Sequence, residues 1–214
     1  MKWFSPVSKT QPRSDQHAGV FHETPPIDGR WALIHAADTL CRCCDTSLQS
    51  LLSLAYTAPE EWRGSAIAQD NSAILDAVQG DILTHDLCRI GDKHFIRSVM
   101  IIPLVGCADP VILGIWVRVD DKTFGTYLTT MPLGTQGSMP LLFGTLANVI
   151  PGFGTDHPCV MQPRDNFQRP ITHAALEEDP LYIAQIDGFD FDQLLAFLAG
   201  YGHKFPLPDA ACAK

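Results

Sequence analysis

Val111-Ile112-Leu113-Gly114-Ile115-Trp116-Val117-Arg118-Val119 is the stretch that decides the fold. Successive side chains of an extended chain point to opposite faces. Val111, Leu113, Ile115, Val117 and Val119 therefore share one face, and Ile112, Gly114, Trp116 and Arg118 share the other. The first face is wholly apolar, so the segment reads as a β-strand with that face in the core. Upstream, Cys88-Arg89-Ile90, a Gly91-Asp92 turn and the β-rich run 94–102 read as a hairpin. Asp109-Pro110 reads as the turn between that run and the quoted strand.

Downstream, Asp120-Asp121-Lys122 reads as another turn. The breakers Pro132, Gly134, Gly137 and Pro140 predict a mobile loop over 131–140. Residues 141–150 are apolar again, and 159–162 and 170–176 read as two further strands. Helical spacing occurs at Leu48, Leu51, Leu52 and Ala55, and a short helix is predicted over 66–78, ending at Gly80. At the far end Asp190 is a good N-cap with Gln193 three positions on, the capping-box pattern. Phe191, Leu194, Leu195, Phe197 and Leu198 make one face of that helix, and Gly200 is placed to end it. Helices first, strands in the middle and a helix last predict an α+β fold. Its sheet is expected to be mainly antiparallel, with helices packed against it. The predicted organisation is an N-terminal arm over 1–29, one domain over 30–200 and a tail over 201–214.

Composition narrows the function classes. A chain of 214 residues with 46% hydrophobic and 18% charged residues can bury a core without a metal or disulfide to hold it. The net charge is −9 and no window forms a basic stripe, which argues against nucleic-acid binding. An acidic surface suits a basic protein partner. The longest apolar stretch, 99–105, is interrupted by Pro103 and too short to span a membrane. The first residues lack the apolar core of a signal peptide. Seven cysteines, an odd number, do not form a secreted disulfide pattern, and a cytoplasmic location is expected.

A succession of short motifs then points to a family. Asp86-Leu87-Cys88-Arg89-Ile90, Phe95-Ile96-Arg97, Ile101-Ile102-Pro103-Leu104 and Leu113-Gly114-Ile115-Trp116-Val117 come in one run. Gly144-Thr145-Leu146, Ile150-Pro151-Gly152-Phe153, Gln168-Arg169-Pro170-Ile171 and Asp179-Pro180-Leu181 follow. Their order and spacing resemble the bacterial domain-of-unknown-function family 2199 (DUF2199), from about residue 41 to about 198. The resemblance implies an opening Cys-x-x-Cys-Gly motif followed by a histidine. Here Cys41 and Cys44 take the cysteine positions, Asp45 stands at the glycine, and Leu48 stands near the expected histidine. A metal bound by that motif would need a relocated ligand in this chain. The resemblance implies relatedness and fold, and brings no activity with it.

The sharpest constellation of candidate chemistry is Cys41-x-x-Cys44, with Cys43 between and Cys88 further on. Zinc takes four soft or borderline donors in a tetrahedron, and a Cys-x-x-Cys turn supplies two thiolates at suitable spacing. Cys88 is the third candidate ligand, and His85 or His94 the fourth; packing of these cysteines in a core is the competing reading. Cys88 with either histidine also has the composition of a nucleophile and base, though no catalytic motif marks orienting or oxyanion groups. Arg97, Trp116, Arg118 and Arg169 are candidate ligand-binding residues, with salt-bridged sheet arginines as the competing reading. The acidic residues Glu177, Glu178, Asp179, Asp187, Asp190 and Asp192 read as solvated surface and helix caps.

Three functions are therefore expected, in this order. The first is a non-enzymatic protein-binding module, with an immunity-type protein that neutralises a toxin as one version. The second is a zinc-stabilised regulatory module, and the third a hydrolase-like enzyme. The oligomeric state stays open.

Overall fold

The quoted strand is part of a long two-stranded hairpin on which the rest of the sheet is hung. The computed structural model describes residues 28–36, 38–76 and 80–205; most of the expected N-terminal arm and much of the expected tail lie outside these. Lys93–Leu104 and Cys107–Val119, β4 and β5, pair antiparallel from Leu104↔Cys107 to His94↔Val119. Val111, Leu113, Ile115, Val117 and Val119 are all buried, as the alternation predicts.

The turn is not at Asp109-Pro110. It lies at Val105-Gly106, where Gly106 has φ 83°, a left-handed conformation that glycine adopts without steric cost. Pro110 and Pro103 both sit where the β4–β5 register shifts, between Ile102 and Leu104. Proline lacks the N–H a regular ladder needs, so it collects at such irregularities rather than marking the hairpin end.

Each long strand shares its outer edge between two neighbours. On β5, residues Ser53–Ala55 (β1) pair in parallel with 112–114, and Leu142–Leu146 (β6) pairs antiparallel with 117–118. On β4, Leu87–Ile90 (β3) pairs antiparallel with 93–96, and Ile171–Ala174 (β8) pairs in parallel at Val99 and Met100. Ile82–Leu83 (β2) extends β3, while Pro158–Gln162 (β7) links β6 to β8. The pairings β4–β5–β6–β7–β8–β4 therefore close a ring inside an eight-stranded sheet. The expected mainly antiparallel sheet is corrected to a mixed one. Parallel pairing places β1 and β8 against strands far from them in sequence, which local alternation cannot reveal.

Helices are a minor part of the fold. The helix expected around Leu48–Ala55 is a 3-10 turn, Ser50–Leu52, running straight into β1. Its apolar residues alternate onto the sheet instead of following a helical stripe. Gly114 makes room for this approach, because a Cβ there would stand 2.9 Å from the Ala55 Cβ. The helix expected over 66–78 is a single turn, Ala73–Asp76 (α1); 77–79 lie outside the described residues. The expected turn at Asp120-Asp121-Lys122 instead opens helix Asp121–Thr130 (α2), with the Asp120 carboxylate accepting from the Thr123 amide at 2.8 Å. Its four threonines and Gly125 masked it. Two 3-10 turns, Met131–Leu133 and Gln136–Ser138, occupy the predicted loop.

Helix Pro180–Asp187 (α3) carries Asp179 as its N-cap. This carboxylate is buried rather than solvated, and its second oxygen lies 2.6 Å from His157 Nδ1. Helix Phe191–Gly200 (α4) has the predicted capping box between Asp190 and Gln193. Its apolar face buries Phe191, Leu194, Phe197 and Leu198 in the main core with the inward face of β5. A smaller core on the opposite sheet face holds Leu83, Cys88, Phe95 and Trp116, covered by Tyr56, Ala58 and Trp62.

Candidate metal centre

A loop preceding β1 and the segment following α4 meet at four metal-ligating side chains. The loop is a small self-closed unit, in which the Cys41 amide donates to the Thr46 carbonyl and the Asp45 amide to the Cys41 carbonyl, each at 2.9 Å. Asp45 at its tip has φ 53°. This is the left-handed region that glycine favours, which accounts for a glycine at that position in the related motif. At the other side, Gly202 has φ 87° and turns the chain back over the end of α4. The His203 amide then donates to the Leu198 carbonyl at 3.0 Å. The Arg42 amide donates to the Lys204 carbonyl at 2.8 Å, and the Lys204 amide donates to Cys41 Sγ at 3.2 Å.

These bonds bring together Cys41, Cys43, Cys44 and His203, whose donor atoms all lie within 4.8 Å of one another. His203 Nδ1 is 3.6 Å from Cys41 Sγ, 3.9 Å from Cys43 Sγ and 3.6 Å from Cys44 Sγ. Zn–S bonds near 2.3 Å and Zn–N bonds near 2.0 Å give tetrahedron edges of roughly 3.5–3.8 Å, so the separations from His203 to Cys41 and Cys44 match and that to Cys43 is slightly longer. The Cys41–Cys43 separation, 2.9 Å, is shorter, and these two sulfurs must part by about 0.9 Å around a zinc ion. Three thiolates and one imidazole are a donor set of closed structural zinc sites, with no position left for water or substrate.

Electrostatics favour one preformed thiolate. Burial opposes ionisation of Cys41, but hydrogen bonds from the Cys43 thiol, the Cys43 and Lys204 amides and His203 outweigh it and bring Cys41 down to about 6. Cys43 is pushed up to about 11, first by its bond to Cys41, then by burial and by Cys44. Metal ions bind the deprotonated forms, so one ligand is held ready.

The sequence-predicted residues divide clearly. Cys41 and Cys44 converge; Cys88 does not join them. It is buried in the smaller core, where burial and then the charge of Asp81 push its thiol up to about 12. Cys43 and His203 complete the cluster instead. His94 packs its ring on Phe124 at 4.6 Å, and its Nε2 is 3.8 Å from Asp121. Among the arginines, Arg97 lies opposite Trp116 with its guanidinium 5.7 Å from the indole centroid. Arg169 pairs with Asp86 at 2.6 Å, and Arg118 turns away to Glu61 at 3.6 Å. His203 was missed because no spacing rule joins residues so far apart. The available signal was Gly202-His203-Lys204 directly after a well-capped helix.

The fold and the cluster define an α+β protein with a mixed sheet and a Cys3His donor set joining two distant segments. Residues 40–189 match the family model described as an uncharacterized protein conserved in bacteria (DUF2199), and the chain belongs to that family. No curated protein and no solved structure matches it. The matched segment contains the three cysteines and ends before His203. No helix among the described residues is long and apolar enough to cross a membrane.

Proposed function

We infer that this protein is a zinc-stabilised, non-catalytic regulatory or binding module. The convergence of Cys41, Cys43, Cys44 and His203 carries this reading. Zinc at that point staples the cysteine loop to the segment after α4, tightening a joint that backbone hydrogen bonds already form. Four protein donors fill the tetrahedron, which suits a structural ion rather than a catalytic one. The alternative centred on Cys88 has little support, since a buried, protonated thiol is a poor nucleophile. The cytoplasm, whose thiol pools keep such cysteines reduced, is the fitting compartment. The net charge of −9 supports a basic protein as the partner.

The deciding experiment measures metal in protein purified without chelators or an affinity tag that binds metal. About one zinc per chain is expected, as a four-ligand site holds one ion. Cys44→Ser and His203→Ala are expected to lower it well below half. Absence of zinc in the purified protein, together with failure of added zinc to compete with a chromophoric chelator, would overturn the reading.

A further inference from the structure

Away from the cysteine cluster, Arg169 sits on the Asp86 carboxylate with Arg97 and Arg164 tied into the same stretch of structure, in a chain of strongly negative net charge. The backbone connects them. The Arg97 amide donates to the Asp86 carbonyl at 2.8 Å, Arg169 Nε donates to Asp86 Oδ1 at 2.6 Å, and Arg164 Nε donates to the Arg169 carbonyl at 2.7 Å. Asn71 fixes the carboxylate from the other side, donating to Asp86 Oδ2 at 2.7 Å while its own Oδ1 accepts from the Asp86 amide at 2.8 Å. Pro170 is anchored on β4, where its carbonyl accepts from the Val99 amide and the Ser98 hydroxyl.

The charges do not balance. Asp86 is the only carboxylate in an ion pair with these arginines among the described residues. Arg97 spends its Nη groups on neutral carbonyls, those of His85 and Tyr56, and its Nε is buried without a partner. Burial and then the like charge of Arg169 depress its guanidinium. Arg164 and Arg169 are each pinned at Nε only, which leaves both Nη pairs without a hydrogen bond among the described residues. A guanidinium held at Nε with its terminal nitrogens free is arranged for two-point recognition of a carboxylate or phosphate.

A cleft of about 210 Å³ adjoins this cluster through Asn71, which lines it together with Ser72 and the largely apolar Leu75, Leu128, Met131, Pro132 and Phe167. Phe167 is largely exposed and has φ 60°, an unfavourable conformation for a bulky side chain. Such strain concentrates at ligand clamps. A polar anchor beside an apolar cleft is the usual make-up of a small-molecule site.

The geometry points to an oxyanion site formed by Arg164 and Arg169, with Arg97 behind them, that takes a small phosphate or carboxylate bearing an apolar arm. The arm lies in the cleft under Phe167, and Asp86 and Asn71 hold the fork in place.

Calorimetric titration of the full zinc-loaded chain with inorganic phosphate, phenyl phosphate and phenylacetate tests this. Phenyl phosphate is expected to bind saturably and about tenfold more tightly than inorganic phosphate, the effect of burying an apolar arm. Tighter binding of phenylacetate than of either phosphate would assign the anion as a carboxylate. Arg164→Gln and Arg169→Lys are each expected to weaken binding about tenfold or more through loss of charge or of the two-point fork. Arg164 bonds only a backbone carbonyl, and the Arg169→Lys variant keeps a positive charge for Asp86. Both variants are therefore expected to fold, checked by circular dichroism. No saturable binding of any of the three at ~10 mM, or equal binding by the variants, would overturn the assignment.

Discussion

The amide of Arg42 donates to the carbonyl of Lys204 at 2.8 Å, tying the cysteine loop to the segment beyond α4 by the backbone itself. The neighbouring bond from the Lys204 amide ends on Cys41 Sγ, so one thiol is both a backbone acceptor and a candidate metal donor. Removal of the ion is therefore expected to loosen this joint first.

Hydrogen exchange with and without a strong chelator measures that. The Arg42 and Lys204 amides are expected to exchange at least about tenfold faster in the metal-free chain, while β4 and β5 amides keep their protection. Zinc at about a hundredfold over its dissociation constant adds roughly 2.7 kcal/mol to global stability. Unchanged exchange at Arg42 would separate the joint from the metal.

Thiol chemistry sorts the cysteines by burial. Cys43 and Cys44 are exposed, and Cys88 and Cys159 are buried with thiols pushed up to about 12, each chiefly by desolvation. In metal-free native protein a maleimide is expected to label exposed Cys44 first, Cys43 more slowly because its thiol is pushed up to about 11, and Cys88 and Cys159 only on unfolding. The same shifts set an alkaline limit. In the unfolded chain these thiols ionise near pH 8.5, so the folded state holds more protons above that pH. Their contribution is intact below about pH 8.5 and is lost progressively towards pH 12, so stability falls over that window. Denaturant midpoints measured from pH 8 to pH 11 check the sign.

Gly144 on β6 tests the tightest approach in the sheet. A Cβ there would stand 2.4 Å from the Arg118 carbonyl oxygen and 2.6 Å from Val117 Cγ1. The backbone oxygen cannot swing aside, so Gly144→Ala is expected to cost about 3 kcal/mol, at the upper end for overpacking. Thermal unfolding reads this directly. A loss below about 1 kcal/mol would place β6 further from β5.

What the sequence made legible follows from how local each signal is. The β5 alternation and the α4 capping box depend on neighbours within a few residues, and both appear as read. Parallel pairing of β1 with β5 and of β8 with β4 depends on contacts across long stretches of chain, and so the mixed sheet was hidden. Helical spacing at Leu48, Leu51 and Leu52 was real, but packing against Gly114 selected a strand after one 3-10 turn. The site divides the same way. Cys41 and Cys44 were visible as a pair, whereas His203 enters only because Gly202 reverses the chain after α4.

Asp179 links two elements with one carboxylate. Oδ1 caps α3 through the Leu181 amide at 2.8 Å, and Oδ2 holds His157 Nδ1 at 2.6 Å. His157 Nε2 is already buried without a partner. Asp179→Ala removes the cap, at about 1 kcal/mol, and strands a second polar atom of the histidine, at roughly 1–3 kcal/mol. A loss of about 2–4 kcal/mol is expected from these two terms. Asp179→Asn keeps one acceptor for the Leu181 amide, and its NH2 can donate to His157 Nδ1 in the other imidazole tautomer, so it is expected to recover at least half of the loss. Equal losses in the two variants would mean that the negative charge, rather than the hydrogen-bond geometry, is what matters there.

Asp45 offers a substitution that strengthens the centre. Its φ of 53° lies in the left-handed region, where a side chain costs roughly 1–2 kcal/mol and aspartate somewhat less. Glycine removes that strain but adds about 0.5–1 kcal/mol of unfolded-chain entropy. Asp45→Gly is therefore expected to change the stability of the metal-free chain by only a few tenths of a kcal/mol. Zinc binding gains in a different way. A loop that reaches the left-handed turn without strain can let Cys41 and Cys43 part from 2.9 Å towards the roughly 3.8 Å edge of a zinc tetrahedron. Removing the exposed Asp45 charge does not work against this. A zinc ion held by three thiolates and a neutral imidazole carries one net negative charge, the same as the metal-free site with its one thiolate, because the other two thiols release their protons on binding. The variant is therefore expected to bind zinc as tightly as the parent or more tightly, at low and at high ionic strength, read by competition with a chromophoric chelator. Weaker binding by the variant at low ionic strength that salt restores would show that the carboxylate, and not the backbone conformation, decides which residue suits this turn.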